Sequence, residues 1–218
     1  MKFLELCRER YLTEVQGYRC TFAKHEKVKG VLRDAEVIRA HFREQPFSVH
    51  MEWKKGEDLC FSSLYVEGEN DGCLLARSRL PPLGFRGPIL TRPLDAADVQ
   101  ATSRFGINRF GIYTGQKDTL DAIQKAEKAG TLHLKYHGIE TVEKAGNRLC
   151  YKLVRSPYEP PEEMEDLNEL TIYIDRATLF QVGSILRDAK GEFVAEYFFR
   201  DIELNPKFDE KQFTRKAL

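Results

Sequence analysis

The 218-residue sequence lacks the short motifs that identify most enzyme and cofactor classes. It has no glycine-rich loop of the Gly-x-Gly-x-x-Gly or Walker type for a phosphate, and no Gly-x-Ser-x-Gly turn for a nucleophilic serine. Its five cysteines include no Cys-x-x-Cys pair, which argues against a zinc site or a dithiol redox centre. We therefore predict no catalytic residue, no cofactor and no metal ligand, and keep an enzyme of unrecognised type as a residual alternative.

The sequence also lacks an excess of either charge and any long apolar run. Lys plus Arg and Asp plus Glu are 34 each, so electrostatics favour neither nucleic acid nor an anionic membrane as a partner. No stretch approaches the ~18 apolar residues of a transmembrane helix. Glu5 and Arg8 interrupt any signal-peptide core at the N-terminus. Either a cytoplasmic protein or a mature chain that begins with a new methionine fits these features.

The first third of the chain instead contains repeated polar/apolar alternation, which is typical of half-buried strands. The alternating apolar positions are Tyr18, Cys20 and Phe22, then Val49, Met51 and Trp53, then Leu59, Phe61 and Tyr65. Because successive side chains of a strand point to opposite faces, one face is expected to pack and the other to meet water. His50 and Glu52 share the second face with Ser48 and Lys54, so we predict exposed, structural roles for both.

The order of predicted elements is one helix, five strands, a loop with helices, and five more strands. We predict helices at 3–16, about 95–103 and 118–129, and strands at 18–28, 34–44, 47–54, 58–67, 72–79, 131–142, 147–155, 169–176, 180–187 and 192–203. Short turns between the strands indicate antiparallel neighbours. Between them, residues 80–93 form a proline- and glycine-rich loop that still holds Leu83 and Phe85. Such a loop is either a binding loop or lid, or the closure of one end of the core.

This order predicts an α+β fold rather than a doubly wound one, because strands and helices do not alternate. We expect a highly curved antiparallel sheet of about ten strands, an open, unclosed β-barrel with helices covering its concave side. The whole chain, 1–218, is predicted to be a single domain with a loop and helix insertion at about 80–130.

Several segments resemble a bacterial family catalogued as a domain of unknown function. They are Tyr18-Arg-Cys-Thr-Phe-Ala-Lys-His-Glu26, Arg43-Glu-Gln-Pro-Phe-Ser-Val-His-Met51, Tyr65-Val-Glu-Gly-Glu-Asn70 and, less closely, Asn108-Arg-Phe-Gly-Ile-Tyr113. That family is similar to the LolA/LolB/RseB-like superfamily of lipoprotein carriers and envelope sensors. Leu170-Thr-Ile-Tyr-Ile-Asp175 and Tyr197-Phe-Phe-Arg-Asp-Ile-Glu-Leu-Asn205 also resemble the strands that end those carriers.

The resemblance implies a LolA-like domain with an apolar interior for acyl chains, in an extracytoplasmic (periplasmic or secreted) setting. By position it also implies a lid-holding role for Arg43, ahead of Pro46-Phe47. The ligand-binding residues predicted from the alternation and this resemblance are Tyr18, Phe22, Arg43, Val49, Met51, Trp53, Phe61 and Tyr65, with Leu83 and Phe85 as cover. The competing interpretation is that this aromatic strand face is ordinary core, filled by the protein's own helices.

The predicted function is therefore a non-catalytic binding protein whose partner is a hydrophobic ligand, such as a lipid or a lipoprotein acyl chain. An apolar cavity would favour such a chain by roughly 0.8 kcal/mol per buried methylene. The first alternative is a protein-interaction or envelope-sensing module with a filled core, and the second is the unrecognised enzyme.

Overall fold

The computed structural model describes residues 1–56, 59–80, 84–158 and 167–218. The helices are α1 (Lys2–Glu14), α2 (Ala97–Gln100) and α3 (Ile112–Ala129). The strands are β1 (Gly17–Val28), β2 (Val31–Leu32), β3 (Glu36–Arg43), β4 (Ser48–Lys55), β5 (Cys60–Val66), β6 (Leu74–Leu80), β7 (Phe85–Arg92), β8 (Leu134–Val142), β9 (Arg148–Arg155), β10 (Leu167–Asp175), β11 (Gln181–Asp188) and β12 (Phe193–Leu204).

The described strands form one sheet in the order β7-β6-β5-β4-β3-β1-β12-β11-β10-β9-β8, with β2 paired to β1. Every pairing whose register is defined is antiparallel. The order ends at β7 on one side and at β8 on the other, so the sheet is open. The predicted class, α+β with an open antiparallel sheet, is confirmed.

The prediction of a loop at residues 80–93 is wrong, because Phe85–Arg92 forms strand β7. Proline cannot donate to a strand ladder, so the prolines here indicated a loop. Pro88 is tolerated because β7 is an edge strand with a single neighbour, β6. Leu83, the other apolar residue of interest in this segment, lies outside the described residues.

Helix α3 is longer than the predicted helix, which was expected to start at Asp118. It begins at Ile112, and its first turns bury Ile112 and Gln116 although Gly115 weakens the helical pattern there. Its end is as predicted, since Gly130 adopts the left-handed conformation with φ 71° and closes the last turn.

The chain divides into two compact units, each built from two chain segments. Unit 1 comprises Met1–Glu14 and Gly111–Arg200, and unit 2 comprises Val15–Phe110 and Asp201–Leu218. In unit 1, α1 and α3 pack together against one face of β9 and β10. The buried side chains of this core are Leu4, Cys7, Leu120, Ile123, Leu153, Ile172 and Ile174.

Unit 2 holds β1–β7, and one face of its sheet is covered by the C-terminal segment, residues 205–218. Phe213 and Leu218 of this segment pack with Leu64, Val66 and Leu75 of β5 and β6. The predicted solvent exposure of His50 is therefore wrong: this side chain is only 2% exposed. Strand alternation cannot reveal that a distant segment returns to cover the polar face.

Within the described residues, no helix combines the length and apolar character needed to cross a membrane.

Candidate functional site

The strands of unit 2 bring six of the predicted site residues onto one face of the sheet. The register pairs Tyr18 with Phe42, Phe42 with Val49, and Val49 with Tyr65. Four steps along β1, Phe22 pairs with Ile38, which pairs with Trp53. We call this surface of β1 and β3–β6 the apolar face. The predicted residues on it are Tyr18, Phe22, Val49, Met51, Trp53 and Tyr65.

Between these two large-residue rows runs a row of mostly short side chains. The register connects Cys20 to Ala40, Ala40 to Met51, Met51 to Ser63, and Ser63 to Ala76, across five strands. We call these five residues the small-residue row. Methionine is the long member, and its flexible, unbranched side chain adapts to neighbouring shapes. The apolar face therefore has a low line that crosses the strands between two higher ridges.

Ser63 adds an unusual polar feature to the small-residue row. Its side-chain oxygen is buried and has no hydrogen-bond partner among the residues that the structure describes. The residue as a whole is 4% exposed. A buried hydroxyl without a partner costs about 1–3 kcal/mol. This atom is thus a point at which a bound molecule could supply the missing partner.

Aromatic rings from outside the strands cover part of the apolar face. The Phe110 ring lies 5.2 Å from that of Phe22 and 6.0 Å from that of Phe42, so it touches both ridges. The Phe47 ring lies 5.3 Å from Phe42 and 6.0 Å from Tyr65. Phe110 therefore spans the small-residue row at its β1–β3 end, and Phe47 extends one ridge.

Next to the Phe22 ridge, the apolar face carries a buried charged network. The Lys24 ammonium lies 3.0 Å from Glu26 Oε1 and 3.1 Å from Glu36 Oε1, and all three side chains are at least nine-tenths buried. Trp53 Nε1 donates to Glu36 Oε2 at 2.5 Å. Trp53 therefore connects the apolar ridge to the charges and is not a purely apolar lining residue.

The same network holds residues 93–110. We call them the covering segment because their last residue, Phe110, covers part of the apolar face. Ser103 Oγ donates to Glu26 Oε1 at 3.0 Å, and Lys24 Nζ donates to the carbonyl of Thr102 at 3.4 Å. Arg104 Nη1 donates to the carbonyl of Lys27 at 3.1 Å. The covering segment adds no strand to the sheet, since its regular structure consists of helical turns. Side chains thus attach it to β1.

Three other predicted site residues, Arg43, Phe61 and Phe85, are placed elsewhere by the structure. Arg43 lies on the opposite face, where it donates to Ser48 Oγ at 3.0 Å and its guanidinium stands 4.7 Å from the Phe213 ring centroid. Phe61 is stacked under Arg79 at 3.9 Å. Phe85, at the start of β7, is 65% exposed. These three are not brought together with the apolar face as described above.

Sequence reasoning missed the residues that give the apolar face its shape and polarity. Ala40 and Ser63 carry no chemical signal alone, and their importance appears only once the strands are in register. Lys24 and Glu26 did carry a signal, since they continue the even-numbered alternation of Tyr18 and Phe22 along β1. Charged residues at inward positions were the available indication of a buried network.

Comparison with known families decides the classification. A family model described as "Protein of unknown function (DUF1571)" matches residues 15–217. The chain belongs to the DUF1571 family. This confirms the predicted membership of a family of unknown function. A search of curated proteins finds no match to the sequence.

The solved structures that align with this DUF1571 protein share little sequence with it. The Pseudomonas aeruginosa MucA/MucB complex aligns at 14% identity with a TM-score of 0.52, over 100% of this chain and 62% of that chain. An uncharacterised conserved protein from Thermus thermophilus aligns at 12% identity with a TM-score of 0.51, over 97% and 92%. A LolA superfamily protein from Nitrosomonas europaea aligns at 9% identity over 100% and 98%, with a TM-score of 0.30, too low to support a conclusion.

These likenesses concern the fold. The MucA/MucB complex and the Thermus thermophilus protein share the fold of this chain. At 12–14% identity they carry no residue role into this chain.

Proposed function

We propose that this DUF1571 protein is a non-catalytic binding protein that holds a hydrophobic ligand, a lipid or a lipoprotein acyl chain, on the apolar face. The observation that carries the proposal is the small-residue row, which is flanked by aromatic ridges and contains the unpartnered hydroxyl of Ser63 within the described chain. An extended aliphatic chain fits along such a row, and a carboxyl or ester oxygen would pair with Ser63.

The dimensions and energetics are consistent with a long acyl chain. The row crosses four interstrand gaps of ~4.8 Å, or about 19 Å in total, which is comparable to the length of a long-chain fatty acid. Each methylene removed from water contributes roughly 0.8 kcal/mol, before the cost of ordering the chain is subtracted. A ligand that covers most of the row therefore has enough apolar area for stable binding.

Loading requires that the covering segment move, because Phe110 spans the row. The segment is attached through side chains and belongs to no strand ladder, so it can lift without breaking the sheet. In this mechanism the Phe110 end opens, while Ser103 and Arg104, in the middle of the segment, keep it attached to β1. The ligand then takes the place of the Phe110 ring between the two ridges.

An extracytoplasmic setting is part of the proposal and rests on the resemblance to envelope carriers. Fractionation of the source bacterium, with an antibody against this protein, tests it directly. Release with periplasmic markers after osmotic shock supports the setting, and retention with cytoplasmic markers refutes it.

The binding proposal is tested by filling the row. Ala40→Leu places a larger side chain at the second position of the row, on β3, and should reduce the loading of a dansyl-labelled fatty acid at least tenfold. Ala23→Leu is the matched control, because Ala23 lies on β1 but points to the opposite face. Its loading should equal that of the parent protein. Dansyl emission measures binding. Native mass spectrometry of protein purified from the source detects bound species, and mass spectrometry of its lipid extract identifies them.

A second variant guards against misfolding of Ala40→Leu, since overpacking a core costs about 1–3 kcal/mol. Ala76→Leu fills the half-buried end of the row and should shorten the preferred acyl chain. Equal loading of the parent, Ala40→Leu and Ala76→Leu proteins, with far-UV circular dichroism unchanged, would refute the binding face.

An interaction module is the second candidate, and one observation favours it. Leu80 pairs with Phe85 at the β6–β7 hairpin, and both are exposed together with the neighbouring Leu59. Three exposed apolar side chains at adjoining strand ends are typical of a protein contact. Native mass spectrometry of material from the source separates the candidates: a stoichiometric bound protein with no lipid favours the module.

A further inference from the structure

Three potential metal ligands meet on the face of the unit 2 sheet opposite the apolar face. His41 of β3 pairs directly with His50 of β4, and Glu52 lies two residues along β4 on the same side. One ligand atom from each of the three side chains lies within 4.8 Å of the others. Ligands of tetrahedral zinc are about 3.3 Å apart at bond lengths near 2.0–2.1 Å, so modest side-chain rotation would close the set.

Two ring nitrogens of this group are buried without partners. Nδ1 of His41 and Nε2 of His50 have no hydrogen-bond partner among the described residues. The other nitrogen of His50, Nδ1, lies 2.6 Å from the side-chain amide of Gln212. Amide oxygen and nitrogen are nearly indistinguishable in shape, so the Gln212 amide can present its oxygen here and accept a hydrogen bond from Nδ1–H. His50 then keeps a free lone pair on Nε2.

That arrangement is the usual environment of a metal-binding histidine. Such a residue donates its second ring N–H to a carbonyl or carboxylate, which fixes the tautomer. Neutral imidazole is the form that coordinates a metal.

The surrounding charges restrict which cation can bind. Arg19 pairs with His41 across β1 and β3, and Arg39 pairs with Glu52 across β3 and β4, so positive charges flank the three ligands. Glu52 supplies a negative charge, and its Oε2 lies 2.6 Å from Lys54 Nζ. Ca²⁺ and Mg²⁺, which depend on several oxygen ligands, are disfavoured here. Ions with high affinity for imidazole are favoured.

We propose that His41, His50 and Glu52 form a binding site for a divalent metal ion of the zinc class, with water completing the coordination and Gln212 orienting His50. Two histidines and one carboxylate are a known zinc ligand set. Because Gln212 belongs to the C-terminal segment, bound metal would tighten the attachment of that segment to β4.

The test uses the full chain after treatment with a chelator, and Co²⁺ and Zn²⁺ as probes. Calorimetric titration with Zn²⁺ should show one ion per chain. Co²⁺ should give the visible bands of nitrogen and oxygen ligation, without the thiolate charge-transfer band that any of the five free cysteines would produce. Glu52→Gln and His41→Asn should each weaken binding more than tenfold, and Gln212→Ala should weaken it by about 10- to 100-fold.

His137→Asn is the control for adventitious binding, since His137 is an exposed histidine of β8. It should leave the affinity unchanged. Glu52 and His41 are half-buried, so their variants are expected to fold, and circular dichroism verifies this. The proposal fails if the parent protein binds no Zn²⁺, if Glu52→Gln and His41→Asn bind as tightly as the parent, or if cobalt reports thiolate ligation.

Discussion

The buried charged network of unit 2 makes a strong quantitative prediction about Lys24. The ammonium lies about 3 Å from two carboxylates, and side-chain exposure is 8% for Lys24, 1% for Glu26 and 6% for Glu36. At an effective dielectric constant of ~20, each such pair gains roughly 5 kcal/mol of Coulomb energy, most of which offsets desolvation. Removing the Lys24 cation alone leaves the carboxylates of Glu26 and Glu36 buried without their shared positive partner.

We therefore expect Lys24→Met to lower the free energy of unfolding by about 3–5 kcal/mol. That is a large share of the roughly 5–15 kcal/mol typical of folded proteins. Replacing the whole network, as Lys24→Met/Glu26→Gln/Glu36→Gln, should restore most of the loss, because glutamine removes the charges and still accepts from Trp53 and Ser103. The triple variant separates the cost of an uncompensated charge from the cost of lost packing.

Trp53 is the natural probe for this experiment. It is the single tryptophan of the chain and donates directly to Glu36, so its emission reports on unit 2 at the network itself. Urea titrations followed by this emission give the free energy of unfolding for each variant.

Arg19→Met is the matched control on the same strand. Arg19 Nε donates to Glu203 at 2.6 Å, but the two side chains are 55% and 48% exposed. An exposed pair of this kind contributes at most about 1 kcal/mol. If Lys24→Met costs no more than Arg19→Met, the network is solvated in solution and the reasoning is refuted.

Three further predictions follow from individual sites. Under native conditions iodoacetamide should modify Cys60 and Cys73 before the other three thiols, and mass spectrometry should show early labels at these two only. The reason is that burial raises the pKa of the Cys7 and Cys150 thiols to about 12 and also raises the pKa of the Cys20 thiol. Gly56→Ala should lower the free energy of unfolding by at least about 2 kcal/mol, since φ is +86° and a new Cβ would clash with the carbonyl of Ala35. Gly30→Ala, at φ +80° with no atom near the new Cβ, should lower it by about 1–2 kcal/mol. Equal losses on urea titration would contradict the contribution assigned to the clash with Ala35. Asn205→Ala should cost about 1–3 kcal/mol, because Asn205 Oδ1 accepts from the Gln16 amide at 2.8 Å, while Asn205→Asp keeps an acceptor and should lose less in thermal melts.

Local periodicity was enough to predict most of the sheet. Strands β1, β3, β4, β5 and β6 begin and end within about two residues of the predicted bounds, because their inward positions alternate with polar residues and their turns are short. β7 was missed since Pro88 and Gly87 oppose strand propensity, and an edge position overrides that preference. Such an override depends on the position of a strand in the sheet, which local composition does not contain.

The large apolar residues of the candidate site were predictable from the sequence. The residues whose importance depends on strand pairing were not. Tyr18, Val49 and Tyr65 were found because aromatic and branched residues at period two mark an inner face. Ser63 became informative only when pairing placed it in line with Met51 and Ala76. His50 was misassigned because its cover, Gln212, lies 162 residues away along the chain. Contacts at that separation depend on topology and leave no local pattern.

The charged network gives the proposed loading mechanism a direction. A buried ion pair adds little net stability compared with apolar side chains of the same size, so its presence on an otherwise apolar face calls for another contribution. Here the carboxylate of Glu26 and the ammonium of Lys24 bind Ser103 and the Thr102 carbonyl of the covering segment. Phe110, at the C-terminal end of that segment, contacts the apolar face through its ring, and an aliphatic chain can replace ring contacts of this kind. A ligand therefore competes with the ring contacts of Phe110 and leaves the hydrogen bonds of residues 102–104 in place. The segment should open from its Phe110 end and remain attached at residues 102–104.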